Sequence, residues 1–329
     1  MAARPASKTL RANAPAPGVS IDLSAAVLAV TQEAPRVLAV RGPQRPALPS
    51  GPLESGHRTL EAGLRAWVER QTNQTLNYVE QLYTFGDLDR QDAGARALSV
   101  AYLALVREAR PAGELEASWL DWYACFPWED WREGRPAILD EIEAALDAWA
   151  ARAGGAAGCA TRHERRHLAF GSGASWNDER VLERYELLYE AGLVQESYGD
   201  AAKGEAGRET TGKGAAAVSL GHAMAFDHRR ILATAIGRMR GKIKYRPVVF
   251  ELMPPAFTLL QLQRTVEALS GMRLHKQNFR RLVETQGLVE ETGETATETG
   301  GRPARLVRFR RDVLLERPAP GVRPPGSRR

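Results

Sequence analysis

The feature that most constrains this chain is an ordered series in its last third: helix, tight turn, basic helix, hairpin. Thr258 to Ser270 reads as a helix opening on Thr-x-x-Gln, where Thr258 can cap the first turn and Gln261 can reach back to the cap. Gly271 stands at the left-handed stop position. A second helix runs from His275 to Gln286 and ends at Gly287. Two strands, Leu288 to Glu291 and Ala304 to Phe309, follow across a Gly- and Thr-rich loop. That order is a winged helix-turn-helix. Its first helix turns Leu259, Leu262, Val266 and Leu269 inward, and its second buries Phe279, Leu282 and Val283. Lys276, Gln277, Arg280, Arg281 and Glu284 are left on or near the outer face. Gln and Arg there can read adenine and guanine bidentately in a major groove, while Lys276 and one arginine can hold phosphates. In the wing, Gly300 and Gly301 allow close backbone approach. Arg302 at the tip suits a minor groove, and Arg305 follows it.

Charge supports a polyanionic partner. The net +5 is asymmetric: Ala225 to Arg329 carries 21 Lys+Arg against 10 Asp+Glu, +11, and Met1 to Met224 carries 24 against 30, −6. Two domains are expected for 329 residues. No apolar run reaches the roughly 18 residues of a membrane span, and Met1 to Pro17 reads as a flexible arm rather than a secretory signal. Two distant cysteines, Cys125 and Cys159, exclude a disulfide framework and fit a reducing cytoplasm.

Before that third, strands are expected at Ile21 to Val30, Arg36 to Val40, Leu76 to Phe85 and Ala97 to Val106, with a helix from Thr59 to Gln71. An aromatic stretch, Trp119 to Trp131, reads as buried core within a helical insertion over 113–170. Helices are expected from Pro136 to Arg152, Asn177 to Leu193 and Asp227 to Gly241, with Gly154 to Gly158 a linker and 199–225 a hinge. The resulting division is 1–17 arm, 18–198 ligand-binding body, 226–315 DNA-binding unit and 316–329 tail.

Gly51, Arg65, Trp67 and Glu69 fit the box G-x5-E-x7-R-E-U-x-E-E-x-G-U of Nudix hydrolases, U being a bulky apolar residue. His57, Ala66 and Arg70 stand where that box carries glutamates, and Thr72 and Asn73 replace its closing Gly-U. One carboxylate beside an arginine holds Mg²⁺ poorly, because the cation opposes the ion. No metal site and no catalytic residue is therefore expected. The competing reading is a hydrolase of a nucleoside diphosphate derivative such as ADP-ribose, with Glu54 or Glu61 restoring the metal.

Tyr83-Thr84-Phe85-Gly86-Asp87-Leu88-Asp89-Arg90 and Leu98-Ser99-Val100-Ala101-Tyr102 resemble the substrate-facing segment of Nudix-related regulators of the NrtR type. Asn278-Phe279-Arg280-Arg281 and Gly301 to Arg305 resemble their DNA-binding domain. Trp122 to Arg132, Glu183 to Gly192 and Asp227 to Leu232 are similar to the longer proteobacterial regulators of the NadQ type. The resemblance implies an α+β chain, a Nudix-like α/β/α sandwich joined to a winged helix-turn-helix. It implies a homodimeric, cytoplasmic repressor of NAD-metabolism genes that binds a double-stranded operator, answers to a nucleotide effector (ATP, NAD or ADP-ribose) and needs no other cofactor. Arg41, Gly51, Arg65, Glu69, Asp87, Arg90, Arg96 and Tyr102 are the candidate effector contacts. The family's Arg-Asp-Pro-Arg-Gly-Arg turn is here Arg90-Gln-Asp-Ala-Gly-Ala-Arg96, without the middle arginine.

Two signals are set aside. His163-Glu164-Arg165-Arg166-His167 matches H-E-x-x-H, but both middle residues are arginines and no third ligand is suitably spaced, so a basic exposed helix start is expected. Asp121, Glu129 and Asp130 are acids in the aromatic stretch on which nothing in the sequence converges.

Overall fold

The computed structural model describes residues 19–86, 96–108, 113, 116–171, 176–197, 220–296, 303–316 and 320–322. Its centre is β1 (Val19–Thr31), whose second half, from Ala25 to Val30, is an unbroken apolar run. Such a run suits a strand buried on both faces. β1 pairs antiparallel with β2 (Ala34–Arg41), Leu28 opposite Val37. The short β3 (Pro46–Ala47) and β4 (Ser50–Pro52) pair with β2 and β1. After α1 (Leu60–Thr72) come β5 (Tyr78–Phe85) and β6 (Arg96–Leu105). β6 lies parallel to β1, Ala25 opposite Tyr102, and antiparallel to β5. The sheet order is β3-β2-β1-β6-β5.

Period-2 alternation sorts the two faces. Leu23, Ala25 and Val27 pack with Leu64 and Val68 of α1 and with Val100, Tyr102 and Ala104. Ala26, Leu28, Leu103 and Leu105 face the opposite, helical layer. The sandwich expected from the sequence is thus present.

The aromatic stretch is core, but not as a helical stripe. Its start is a strand, β7 (Ala117–Asp121), which pairs with β2 as part of the main sheet, so the expected helical insertion does not begin at 113. A single turn, α2 (Trp122–Cys125), and a 3-10 turn, Pro127–Glu129, complete it. Trp122, Phe126 and Trp128 are fully buried, each such side chain stabilising by about 1.5–3 kcal/mol. Then follow α3 (Ile138–Ala151), α4 (Gly155–Phe170) and α5 (Val181–Glu190). α4 corrects the linker expected at Gly154 to Gly158: three alanines offset the helix cost of Gly155 and Gly158. His163 and His167 sit within α4, not at its start, and His163 faces Asp147 at 3.5 Å. α5 begins later than expected, and Asp178 and Glu179 bind Lys244 (2.8 and 2.7 Å) instead of opening the helix.

α6 (His228–Ile243) packs on α5 and crosses the helical face of the sheet. The last units are α7 (Leu259–Ser270), α8 (Lys276–Thr285), β8 (Val289–Ala296), β9 (Ala304–Phe309) and the single turn α9 (Val313–Glu316). One continuous core runs from Leu28 through Ile236 to Leu262, Phe279 and Val307. Apolar packing therefore does not break at residue 226, where the DNA-binding unit was expected to start. No helix among the described residues is long and apolar enough to cross a membrane.

Candidate functional site

Local chemistry builds the helix-turn-helix. Thr258 Oγ1 accepts from the Gln261 backbone N–H (3.1 Å), and Gln261 Oε1 accepts from the Thr258 N–H (2.7 Å), a complete capping box. α7 stops on Gly271 at φ 73°. The turn is set by Glu267, whose carboxylate accepts from the Leu274 backbone N–H (2.9 Å), Gln263 (2.8 Å), Arg264 (3.0 Å) and Arg273 (3.1 Å). Burial pushes this carboxyl up, but those donors outweigh it and leave it below the usual range.

α8 is anchored by Phe279 and Val283, both fully buried, while Lys276, Gln277, Asn278, Arg280 and Arg281 are all exposed. Among the described residues none of Lys276, Arg280 and Arg281 is ion-paired. The wing differs. Arg305 pairs with Glu291 and Arg308 with Glu290 across the hairpin, both at 2.6 Å. Arg302 lies outside the described residues. β8 is longer than the four residues expected, and the backbones of Phe257 and Val307 exchange two hydrogen bonds (2.9 and 2.8 Å) that tie the wing to the entry of α7.

The box residues gather around α1. Thr59 caps the helix, its Oγ1 accepting from the Ala62 N–H (3.1 Å). Gly51 lies against the Trp67 ring: a Cβ there would fall 2.3 Å from two ring carbons. Trp67 Nε1 donates to the Pro52 carbonyl (2.9 Å), and Arg70 stacks over the ring at 3.7 Å. Arg65 bridges Glu61 (2.9 Å) to the carbonyls of Leu76 and Asn77, pinning the chain that enters β5. Glu69 is exposed. Tyr102 is buried in the α1-side core, where burial first and then Glu61 raise its hydroxyl pKa. Among the described residues no contact brings Arg41 to this group. It stands exposed at the far end of β2, 3.6 Å from Glu116. Arg96 begins β6, and Asp87 and Arg90 lie outside the described residues. Among the described residues no group of three or more His, Cys, Asp or Glu is placed to hold a metal.

Charged groups do converge on the acids of the aromatic stretch, but as structural partners. Asp121 caps α2 through the Tyr123 N–H (2.9 Å), and Asp130 pairs with Arg132 (2.7 Å). Glu129, fully buried, is gripped by Arg184 (2.6 and 2.9 Å) and Arg240 (2.5 Å). Burial pushes Glu129 up, and the two guanidiniums more than reverse that. Nearby, Arg229 is also buried. It donates to the Cys125 and Leu220 carbonyls and pairs with Glu196 (3.3 Å). Sequence reading missed these arginines. The one available signal was arginine recurring on the apolar faces of α5 and α6.

Residues 249–309 match the NrtR DNA-binding winged helix domain. Across 92% of this chain and 98% of the other, the fold is that of Shewanella oneidensis NrtR crystallised with a 27mer DNA, at TM-score 0.53 and 20% identity. Residues 249–309 are thus similar to the NrtR winged helix domain, and the whole chain shares that protein's fold. A MutT/nudix family protein from Enterococcus faecalis shares the architecture over 92% of this chain and 90% of its own, at TM-score 0.50 and 16% identity. In sequence the chain is 43% identical over 86 residues to the "ADPR responsive transcriptional repressor NtrR" of Acinetobacter baylyi. That match covers 26% of this chain and about a third (34%) of the relative.

Proposed function

We propose that this protein is a DNA-binding transcriptional repressor of NAD-metabolism genes, controlled by a nucleotide held on its Nudix-like body. The observation that carries the proposal is α8: three cations, a glutamine and an asparagine exposed on one short helix, the cations without acidic partners among the described residues, above two fully buried anchors. An unpaired cationic face on a rigid helix can neutralise phosphates and reach base edges at little cost in reorganisation. Lys276, Gln277, Asn278, Arg280, Arg281 and Arg302 make the contacts, and Arg305 joins them if DNA displaces Glu291. Two copies related by a two-fold axis would set their helices about 34 Å apart and select a palindromic site.

The effector class, an adenine nucleotide such as ADP-ribose, is supported by the relative called ADPR responsive. It binds beside α1, against the Gly51–Trp67 loop and the start of β6, and is not hydrolysed. Ala66 and Arg70 occupy carboxylate positions of the box, and Arg70 is committed to Trp67. The protein works in the cytoplasm as a homodimer, with 249–309 as its DNA-reading head. The test is fluorescence anisotropy on a duplex enriched from a random library, with and without ADP-ribose, ATP or NAD. Nanomolar, salt-sensitive binding that a nucleotide weakens or strengthens is expected. Indifference to duplex DNA at low salt would refute the repressor, and insensitivity to all three nucleotides would refute the sensor.

A further inference from the structure

An α-helix leaves its last carbonyls without partners inside the helix. At the end of α7 the Glu267 carbonyl is taken by the Gly271 N–H (2.9 Å), and the carbonyls beyond it find partners in the body. The Tyr123 hydroxyl donates to the Ala268 carbonyl (2.8 Å). Arg240 Nε donates to the Leu269 carbonyl (3.1 Å). The Trp131 backbone N–H donates to the Gly271 carbonyl (2.7 Å). Tyr123 and Trp131 belong to the aromatic stretch and Arg240 to α6. The three carbonyls immediately precede the turn that aims α8.

The donors form one rigid unit. Arg240 Nη1 holds the Glu129 carboxylate and the Asp178 carbonyl (3.0 Å), and its Nη2 holds the Glu129 carbonyl (3.2 Å) and the Tyr123 oxygen (3.3 Å). Glu129 is shared with Arg184, which also takes the carbonyls of Ala169 (3.1 Å) and Asn177 (2.9 Å). Glu129, Arg184 and Arg240 are each 1% exposed or less. A buried carboxylate fixed by two forked guanidiniums has few alternative arrangements. Gly271 lets the pieces meet: a Cβ there would lie 2.4 Å from the Glu129 carbonyl oxygen.

We propose that Tyr123 and Arg240 are positioning residues for DNA recognition. They clamp the C-terminus of α7 and so transmit the state of the body to the angle of α8. The transmission half rests on the repressor reading above; the clamp itself does not. α6 gives the route. Near its start His228 Nδ1 accepts from the Leu48 N–H (2.9 Å) at the sheet edge, and three turns later Arg240 holds α7.

The experiment compares the full chain with Tyr123→Phe and Arg240→Lys. Tyr123→Phe removes only the hydroxyl, and Arg240→Lys keeps a cation for Glu129 but loses the Nε donor to Leu269 and the fork that spans the Asp178 and Glu129 carbonyls. Hydrogen–deuterium exchange is followed in peptides from 271–285 and from 60–105. Loss of one clamping bond should speed exchange in 271–285 on the order of fivefold and leave 60–105 unchanged. In parallel, calorimetry should give an unaltered ADP-ribose Kd, while the factor by which ADP-ribose shifts duplex affinity falls toward one. Unchanged exchange in 271–285 for both variants, or equal acceleration in both regions, overturns the clamp. Exchange as expected with an unaltered nucleotide factor overturns transmission. A wild-type chain unresponsive to ADP-ribose defeats the sensor reading, and the exchange result still decides the clamp.

Discussion

Gly51→Ala tests whether the box-like loop is shaped by packing or by a ligand. The new Cβ would stand 2.3 Å from Trp67 Cδ2 and Cε2, where ordinary contact begins at 3.4 Å, so the ring or the strand must retreat by about 1.1 Å. Neither is free to do so. Gly51 is paired with Leu23 in the sheet, and the indole is held by Pro52 on its edge and Arg70 on its face. Overpacking of this kind costs about 1–3 kcal/mol. For a chain this long that corresponds to a Tm loss of roughly 2–6 °C. Urea unfolding of Gly51→Ala, Trp67→Leu and the double variant supplies the cycle. If the clash is the cause, removing the ring restores most of the loss, with a coupling of about 1 kcal/mol or more. Additive effects would refute the steric argument. ADP-ribose affinity separates the two roles: recovery in the double variant assigns Gly51 to packing, and continued loss assigns it to the ligand.

Alanine at Lys276, Arg280 or Arg281 should change stability by no more than about 0.5 kcal/mol, because all three are exposed. Each phosphate contact removed should lower the salt slope of duplex binding by about 0.9, read by anisotropy from 50 to 200 mM salt. An unchanged slope and affinity in all three would take α8 off the DNA. Phe279→Ala should cost about 3–5 kcal/mol and abolish duplex binding by loosening the head, measurable by urea titration. Ala66→Glu with Arg70→Glu should create a Mg²⁺-dependent thermal shift that the parent lacks; equal shifts in both would mean that the parent already holds the metal. Glu80, Glu129 and Glu267 all have depressed folded-state pKa values. Their stabilisation is complete above the ordinary glutamate value of about 4.3 and is lost as pH falls below it, so unfolding free energy should be level near neutrality and fall steeply in acid.

The winged helix was legible because its determinants are local. Thr258 and Gln261 lie one turn apart, Gly271 closes the same helix, and Phe279 and Val283 repeat at helical spacing. The sandwich was legible from the strand-like apolar runs of β1 and β6, from four box residues and from the family resemblance that they support. Ion pairs that join remote segments were not legible. Arg184 meets Glu129 across 55 positions and Arg240 across 111, and no periodicity relates them. The helix expected from Asn177 starts later because Lys244, 66 and 65 positions away, holds Asp178 and Glu179, a pairing that composition does not disclose. Arg65 fitted the box, yet its guanidinium is occupied by carbonyls of its own chain, a role the motif does not disclose.

The parallel pairing of β1 with β6 has a consequence for biogenesis. β1 leaves the ribosome first, yet its ten-residue partner register with β6 is completed only when Leu105 has been made. Until then this long, buried strand has an open edge able to template mispairing with neighbouring nascent chains. The early hairpin with β2, closed by Gln32 and Glu33 at positive φ, occupies only one side of it. Slower elongation before residue 105 should therefore raise aggregation, and a chaperone that shields extended apolar segments should relieve it.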